Sequence, residues 1–519
     1  MPGGVVVLGG RISAKKLHLR EITAMIRQRR ARWAQLGLVL ALLVLAALFT
    51  LESDDCYFFY WKFDSLKDFL LTRPDTQSAK IVGVPQNGRY LGNLLGVILA
   101  KCYESPLFPL RIVYFAGGFF LLAWAGSRVL SPKDRRREGM WFLLALLVLA
   151  PRVLWQEVYS WGAAYVNYVT PVVLLLLLLL QVRRAVEEPK VLRLAGIALT
   201  ALAACLFMET NTLFLCMTST LVLGWQLFKT RKITPACAVL WLFSLAGTAV
   251  MFLAPGYHTV GEDGLREFGF SMLGVNLAKI LVGTLVRPTV AALMITGLLL
   301  WYLRQQGGKA WLGCMIPAIP IHLFCLWDGF MDLFDPGNTV VLEAPTVPQT
   351  IAAAALALLW LVMLCLWRGG RTKGRVVLLA AALVLVSGPL LVISLNGNRN
   401  FFSGYAVLTL VALVLYQRAR QLGLGEFAWL RWAALAAACA LVFLYACNAL
   451  VYRQRLDDAR AQAAGGAEQV TLPLVPFPGF ARNEQPWKGD ISYQVYRETP
   501  WDVSFVFVPY GPWQAGNTP

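Results

Sequence analysis

Apolar runs close to twenty residues long recur along the whole chain, with short polar segments between them. A helix needs about 20 apolar residues to cross the hydrocarbon of a bilayer. The pattern predicts spans near 33–51, 106–126, 140–154, 169–182, 193–209, 212–228, 234–254, 287–303, 309–327, 350–367, 376–395, 401–417 and 430–450. That makes an all-α polytopic membrane protein with about thirteen transmembrane helices. The stretch 89–104 is different: Leu91, Leu94, Leu95, Ile98 and Leu99 share one helical face, while Arg89 and Asn93 occupy another. This spacing predicts a juxtamembrane helix lying flat in the interface. After 453 the pattern changes to short alternating runs, Val470-Thr471-Leu472, Ile491–Val495 and Val503–Phe507, broken by Pro and Gly. They predict a small β-containing cap over 453–519.

Charge orients this map. The balance of +18 does not mark a nucleic-acid binder, because the basic residues sit in clusters between apolar runs, where the positive-inside rule puts them. Arg27, Arg29, Arg30 and Arg32 lie in the basic segment 1–32, which is predicted cytoplasmic, and the apolar run after it stays as an anchor with no cleavage site. Arg135 to Arg137, Arg183 and Arg184, Lys229 to Lys232, Arg304 and Lys309, Arg368 to Arg375, and Arg418 and Arg420 then occupy every second connection. The N-terminus is therefore expected inside and, after an odd number of spans, the C-terminus outside. The first outer loop, 52–106, carries the flat helix; the others lie near 155–168, 255–287 and 328–349. Most of the ten cysteines fall in apolar runs, where a thiol acts as a small hydrophobe. Cys56 and Cys102 share the first outer loop, where a disulfide or two free thiols are both open.

Candidate chemistry collects on the outer side. Glu52-Ser53-Asp54-Asp55 emerges from the first span, and a carboxylate shielded there can serve as a general base or end a helix in solvent. Glu157 lies among Trp155, Tyr159, Trp161, Tyr165 and Tyr168, aromatic faces that suit sugar rings as well as a bilayer boundary. Glu209 and Asn211 close the fifth span, where an ion pair with an arginine and a substrate contact are equally open. Arg89, Arg152, Arg266, Arg287 and Arg399 lie outside against the charge trend. Arg399 and Arg89 are favoured to hold a lipid phosphate, with snorkelling to head groups as the competing reading. Asn400 belongs to the same Asn396-Gly397-Asn398-Arg399-Asn400 segment. His258 is an outer residue placed to touch substrate, whereas His322 lies in a span and His18 is cytoplasmic. Asp328, Asp332 and Asp335 offer hard oxygen ligands for a divalent cation, but a solvated loop accounts for them as well, and no metal site or cofactor is assigned. Phosphate-cradling glycine loops, nucleophile elbows and zinc-ligand helices are not found.

These residues resemble the GT-C superfamily of membrane glycosyltransferases, and more narrowly a set of uncharacterised bacterial multi-pass proteins assigned as membrane glucosyltransferases. The carriers are Asp54-Asp55, the long first loop with its flat helix, Glu157 and the Asn-Gly-Asn-Arg-Asn segment, so the likeness covers most of the chain. It implies an enzyme of the bacterial inner membrane that moves a sugar from a polyprenyl-phosphate donor to an extracytoplasmic glycan, lipid or protein. Asp54 or Asp55 matches the base, Glu157 a second acid, and basic residues the neutralisers of the departing phosphate. Trp161, Tyr165, Glu209, Asn211, His258, Arg89, Arg399 and Asn400 are then expected to line the substrate site.

Two rivals remain. An O-antigen-type polymerase or ligase would concentrate basic motifs in a large late outer loop, whereas here the longest internal outer loop comes first. A transporter or flippase would want mid-membrane charges and broken helices in matched halves. Neither is evident in the sequence, and no internal repeat is visible.

Overall fold

Each apolar run becomes a helix, because in hydrocarbon the backbone amides have no partner except one another. The computed structural model describes residues 29–52, 54–74, 83–258, 269–334, 344–393, 397–467, 469–481 and 504–508. Among these, ten helices are long and apolar enough to cross a membrane, and up to twelve if each of two bent pairs counts as one span. The remaining difference from thirteen is the fifth predicted span: its helix, Val191–Ala204, has 14 residues and reaches only about 21 Å. Cys205 to Met208 continue it without helical structure, buried against protein, where irregular backbone is tolerated.

The two bent pairs are the main departure from the sequence reading, which found no broken helix. Lys133–Val148 turns by 90° into Arg152–Tyr159, and Phe270–Val286 turns by 71° into Thr289–Gln305. Prolines explain both breaks: Pro151 and Pro288 stand at the corners and cannot donate to a helical ladder. Each bend adjoins a five-residue π turn, Trp155–Tyr159 and Val282–Val286. The segment 155–168, expected as a loop, is thus almost wholly helical, since the next helix, Gly162–Glu187, begins immediately after it.

The most buried span is Asn398–Gln421, at the centre of one large apolar core with Phe108–Leu130, Lys133–Val148, Gly162–Glu187 and Thr289–Gln305 around it. Val191–Ala204, Glu209–Thr230 and Pro235–Phe252 form a lateral group packed through its own small core. Large side chains such as Leu199, Ile316, Leu378 and Val384 remain exposed around the perimeter. Only a lipid solvent makes that arrangement affordable.

The stretch 89–104 forms a short helix, Tyr90–Lys101. Its polar Asn93 is buried and its Leu94 and Ile98 are exposed, the inverse of a helix facing water. Its first amides, Leu91 and Gly92, donate to the Leu206 carbonyl in the irregular stretch noted above. Gln86 fastens the approach: its Nε2 donates to Phe69 O at 3.3 Å and its Oε1 accepts from Asn93 at 2.7 Å. Cys56 and Cys102 are both unbridged.

The last helix continues past 453, running on from Ala428 to Ala464 before the chain leaves it. A strand, Gln469–Pro473, then pairs in parallel with Ser504–Val508, so two of the three predicted runs are strands and the third, Ile491–Val495, lies outside the described residues.

One glycine tests the docking of the helix Tyr90–Lys101. Gly88 has φ +77°, and a Cβ there would collide with the carbonyl of Met251. Gly88→Ala is expected to cost roughly 2 kcal/mol or more, read as a lower thermal midpoint in detergent; an unchanged midpoint would mean that this contact does not hold the helix.

Candidate functional site

The described acids and arginines among those singled out from sequence gather at one end of the bundle. Asp55 is the second residue of the short helix Asp54–Tyr60, just beyond the first span. Its Oδ2 accepts from the Gly162 amide at 2.9 Å and its Oδ1 from the Ala163 amide at 2.7 Å. A carboxylate thus caps the N-terminus of the helix Gly162–Glu187 from another part of the chain, where free amides and the helix dipole attract an anion. Gly162 is required there, since a Cβ would lie 2.8 Å from Asp55 Oδ2. Asp55 is 2% exposed. Burial raises its pKa to about 6, against the lowering effects of Arg111 and the two amides. Asp54, beside it, is half-buried and has no hydrogen bond or ion pair among the described residues.

Arg111 is the residue that the sequence reading missed. It is 1% exposed, donates to Leu99 O and Thr50 O at 3.4 and 3.3 Å, and lies over the rings of Tyr103 and Phe115. It supplies the counter-charge to Asp55. The available signal was an arginine inside the apolar run Phe108 to Val113, a costly placement that calls for a buried partner.

Glu157 stands in the first π turn, 1% exposed. Its Oε1 accepts from Asn398 Nδ2 at 3.0 Å and its Oε2 from the Arg399 amide at 3.1 Å. Residues 397–399 of the Asn396–Asn400 motif are therefore built around it. Gly397 is obligatory by proximity, as a Cβ would stand 2.5 Å from Glu157 Oε2. Asn398 also accepts from Arg287 Nη1 at 2.7 Å, so residues beside both π turns meet on one asparagine. The Arg399 guanidinium lies 5.3 Å over the Trp161 ring, with Nη1 3.6 Å from Glu157 Oε2. That Nη1 is buried and donates to no acceptor among the described residues.

Beyond Arg399 the cluster continues through Tyr168, whose hydroxyl donates to Asn400 Oδ1 at 3.0 Å and which lies in the field of both Arg399 and Arg89. Arg89 grips Glu209 with Nε and Nη2, the shortest bond being 2.8 Å, and Tyr257 donates to the same carboxylate at 2.5 Å. Of the two readings open for Glu209, the arginine pair is the one present. Tyr257, rather than its exposed neighbour His258, joins the cluster. Asn211 is buried, with Oδ1 accepting from Ser403 at 3.1 Å and Nδ2 without an acceptor among the described residues. Tyr165 belongs to the core: its hydroxyl donates to Phe115 O at 2.6 Å and its ring lies 4.7 Å from that of Phe115. Protein already occupies both of its recognition surfaces, so the sugar-stacking role expected of it has no open face.

Asp332 pairs with Arg152 at 2.9 Å and Asp328 accepts from Gln349 at 2.8 Å; Asp335 and Arg266 lie outside the described residues. Among the described residues no three His, Cys, Asp or Glu side chains converge.

The opposite end is tied by its own contacts, Arg420 to Glu138 at 2.6 Å and Arg137 to Gln35 at 3.3 Å. Loops grouped together by the alternation of charge thus touch one another. No family model matches the chain, and no curated protein is significantly similar to it.

The cap made by Asp55 yields a pH dependence. Between about pH 4 and 6 the folded protein retains a proton that the unfolded chain has released, so stability falls as pH rises through that window; above it the ionised group costs the fold roughly 3 kcal/mol. Thermal midpoints in detergent are expected to drop from pH 4.5 to 6.5 in the wild type, by less in Asp55→Asn. Equal slopes would show that Asp55 does not titrate there.

Proposed function

We propose that this chain is a membrane glycosyltransferase that moves a sugar from a polyprenyl-phosphate donor to an acceptor hydroxyl outside the cytoplasm, as its resemblance to the GT-C enzymes implies. One observation carries the reading. Asp55 is bonded to Gly162 and Ala163, Trp161 precedes them, and Arg399 covers Trp161. The first-loop acids and the late arginine segment, far apart in sequence, therefore meet over a few residues at one end of the bundle.

Of the two acids, Asp54 is the better base. Geometry ranks ahead of pKa in choosing one, and both oxygens of Asp55 are committed to backbone amides, whereas Asp54 is half-buried and unpartnered among the described residues. In the reaction Asp54 takes the proton of an acceptor hydroxyl, whose oxygen attacks the anomeric carbon. The bond from that carbon to the phosphate oxygen breaks, and its electron pair leaves with the phosphate. Arg399, with its uncommitted N–H, neutralises the charge that grows there. A single displacement inverts the configuration. Glu157, enclosed by Asn398 and Arg399, shapes the phosphate side.

The two proline-broken helices favour a second reading, a transporter or flippase, in which such breaks flank a binding site. Counterflow of a solute in proteoliposomes would support it.

Asp54→Asn is expected to abolish transfer of labelled sugar from polyprenyl phosphate, by about 10²-fold or more, while leaving the thermal midpoint unchanged. Full activity in that variant would remove the base assignment. Arg399→Ala should weaken donor-lipid binding about tenfold or more, the value of a charge-assisted hydrogen bond, with acceptor binding little affected. Unaltered donor affinity would argue against a phosphate role.

A further inference from the structure

The C-terminal segment after the last span does more than cover the bundle. Asn448 and the backbone of Phe477 exchange two hydrogen bonds, each 2.9 Å. Four residues on, Gln156 Nε2 donates to Ala481 O at 2.7 Å, and Arg152 Nη1 to Gly479 O at 2.6 Å. Arg152 is wholly committed, since its Nε and Nη2 hold Asp332 at 3.0 and 2.9 Å. Close approach is enforced at Gly479, where a Cβ would stand 2.6 Å from Arg152 Nη1. Tyr445, on the last span, donates to Trp155 O at 3.2 Å and meets the Phe480 ring edge-on.

The bonds made by Arg152, Gln156 and Trp155 fall on Arg152–Tyr159, the limb broken from its span at Pro151, while Asn448 and Tyr445 hold Phe477 and Phe480 to the last span. The limb includes a π turn, whose wider backbone ladder leaves fewer well-made bonds per residue than an α-helix. The residue after Gln156 in the same turn, Glu157, organises Asn398 and Arg399. The limb is thus bonded both to residues 479–481 and to residues 398–399.

We infer that residues Phe477–Ala481 are a strap that positions the Glu157 turn and, through it, the Asn398–Asn400 segment, so that the C-terminal tail is a working part of the site. In catalytic terms this rests on the transferase reading, in which Arg399 meets the donor phosphate. Gln156, Arg152 and Asn448 are then positioning residues acting through Glu157.

Hydrogen exchange followed by mass spectrometry on the full chain in lipid nanodiscs tests the strap without requiring activity. Asn448→Ala removes both bonds to Phe477; Gln156→Leu, which releases Ala481, is the second variant. In each, exchange over 153–160 and 398–402 is expected to quicken together, by about tenfold, with little change in the thermal midpoint. Faster exchange confined to 469–481 in both variants would overturn the proposal. Where the wild type transfers sugar, donor KM should rise more than kcat falls; a fall in kcat alone would contradict positioning of the phosphate side. If the wild type transfers none, the transferase reading fails while the exchange result still decides the strap.

Discussion

A charge taken out of water must find an opposite charge, and that requirement organises one end of this molecule. Asp55 lies in the field of Arg111, Glu157 pairs with Arg399, Glu209 with Arg89, and Asp332 with Arg152. Every pair joins segments remote in sequence. Together they tie the first loop, the bent limb after Pro151, the lateral helix group, the segment around Arg399 and the end of the helix Ala310–Phe334 into one polar assembly. Removing one partner of such a pair strands the other and costs more than the pair itself contributes. The apolar spans below tolerate exchange of one aliphatic residue for another far more readily.

Much of this was legible in the sequence because the bilayer imposes a simple rule. A run of apolar residues long enough to cross becomes a helix, and helices lie at all thirteen predicted places. The short helix Tyr90–Lys101 followed from the helical spacing of Leu91, Leu94, Leu95, Ile98 and Leu99. The breaks did not, because Pro151 and Pro288 read as helix ends and nothing local states the direction of the chain beyond them. The 37-residue last helix was cut at Arg453 for a related reason: charge marks where hydrocarbon stops, whereas a helix can continue into water.

The site was legible as a set of residue types but not as a set of pairings. Glu157 and the Asn396–Asn400 motif were both visible; that one is the scaffold of the other depends on the fold. Tyr165 looked like a sugar platform because aromatic residues surround it, yet its helix phase turns it towards Phe115. Asp54 and Asp55 were indistinguishable as letters. Their roles separate only when the amides of Gly162 and Ala163 are seen to occupy both oxygens of Asp55.

The account stands on the orientation of this polar end, since a donor carried on a lipid phosphate is useful only where nucleotide sugars are absent. Labelling of intact cells with a membrane-impermeant thiol reagent measures it directly. Asp64→Cys, exposed in the first loop, and Lys232→Cys, exposed at the opposite basic end, would be compared in a background with the native cysteines removed. Labelling of position 64 and protection of position 232 until the membrane is opened is the predicted result. The reverse pattern would contradict the account.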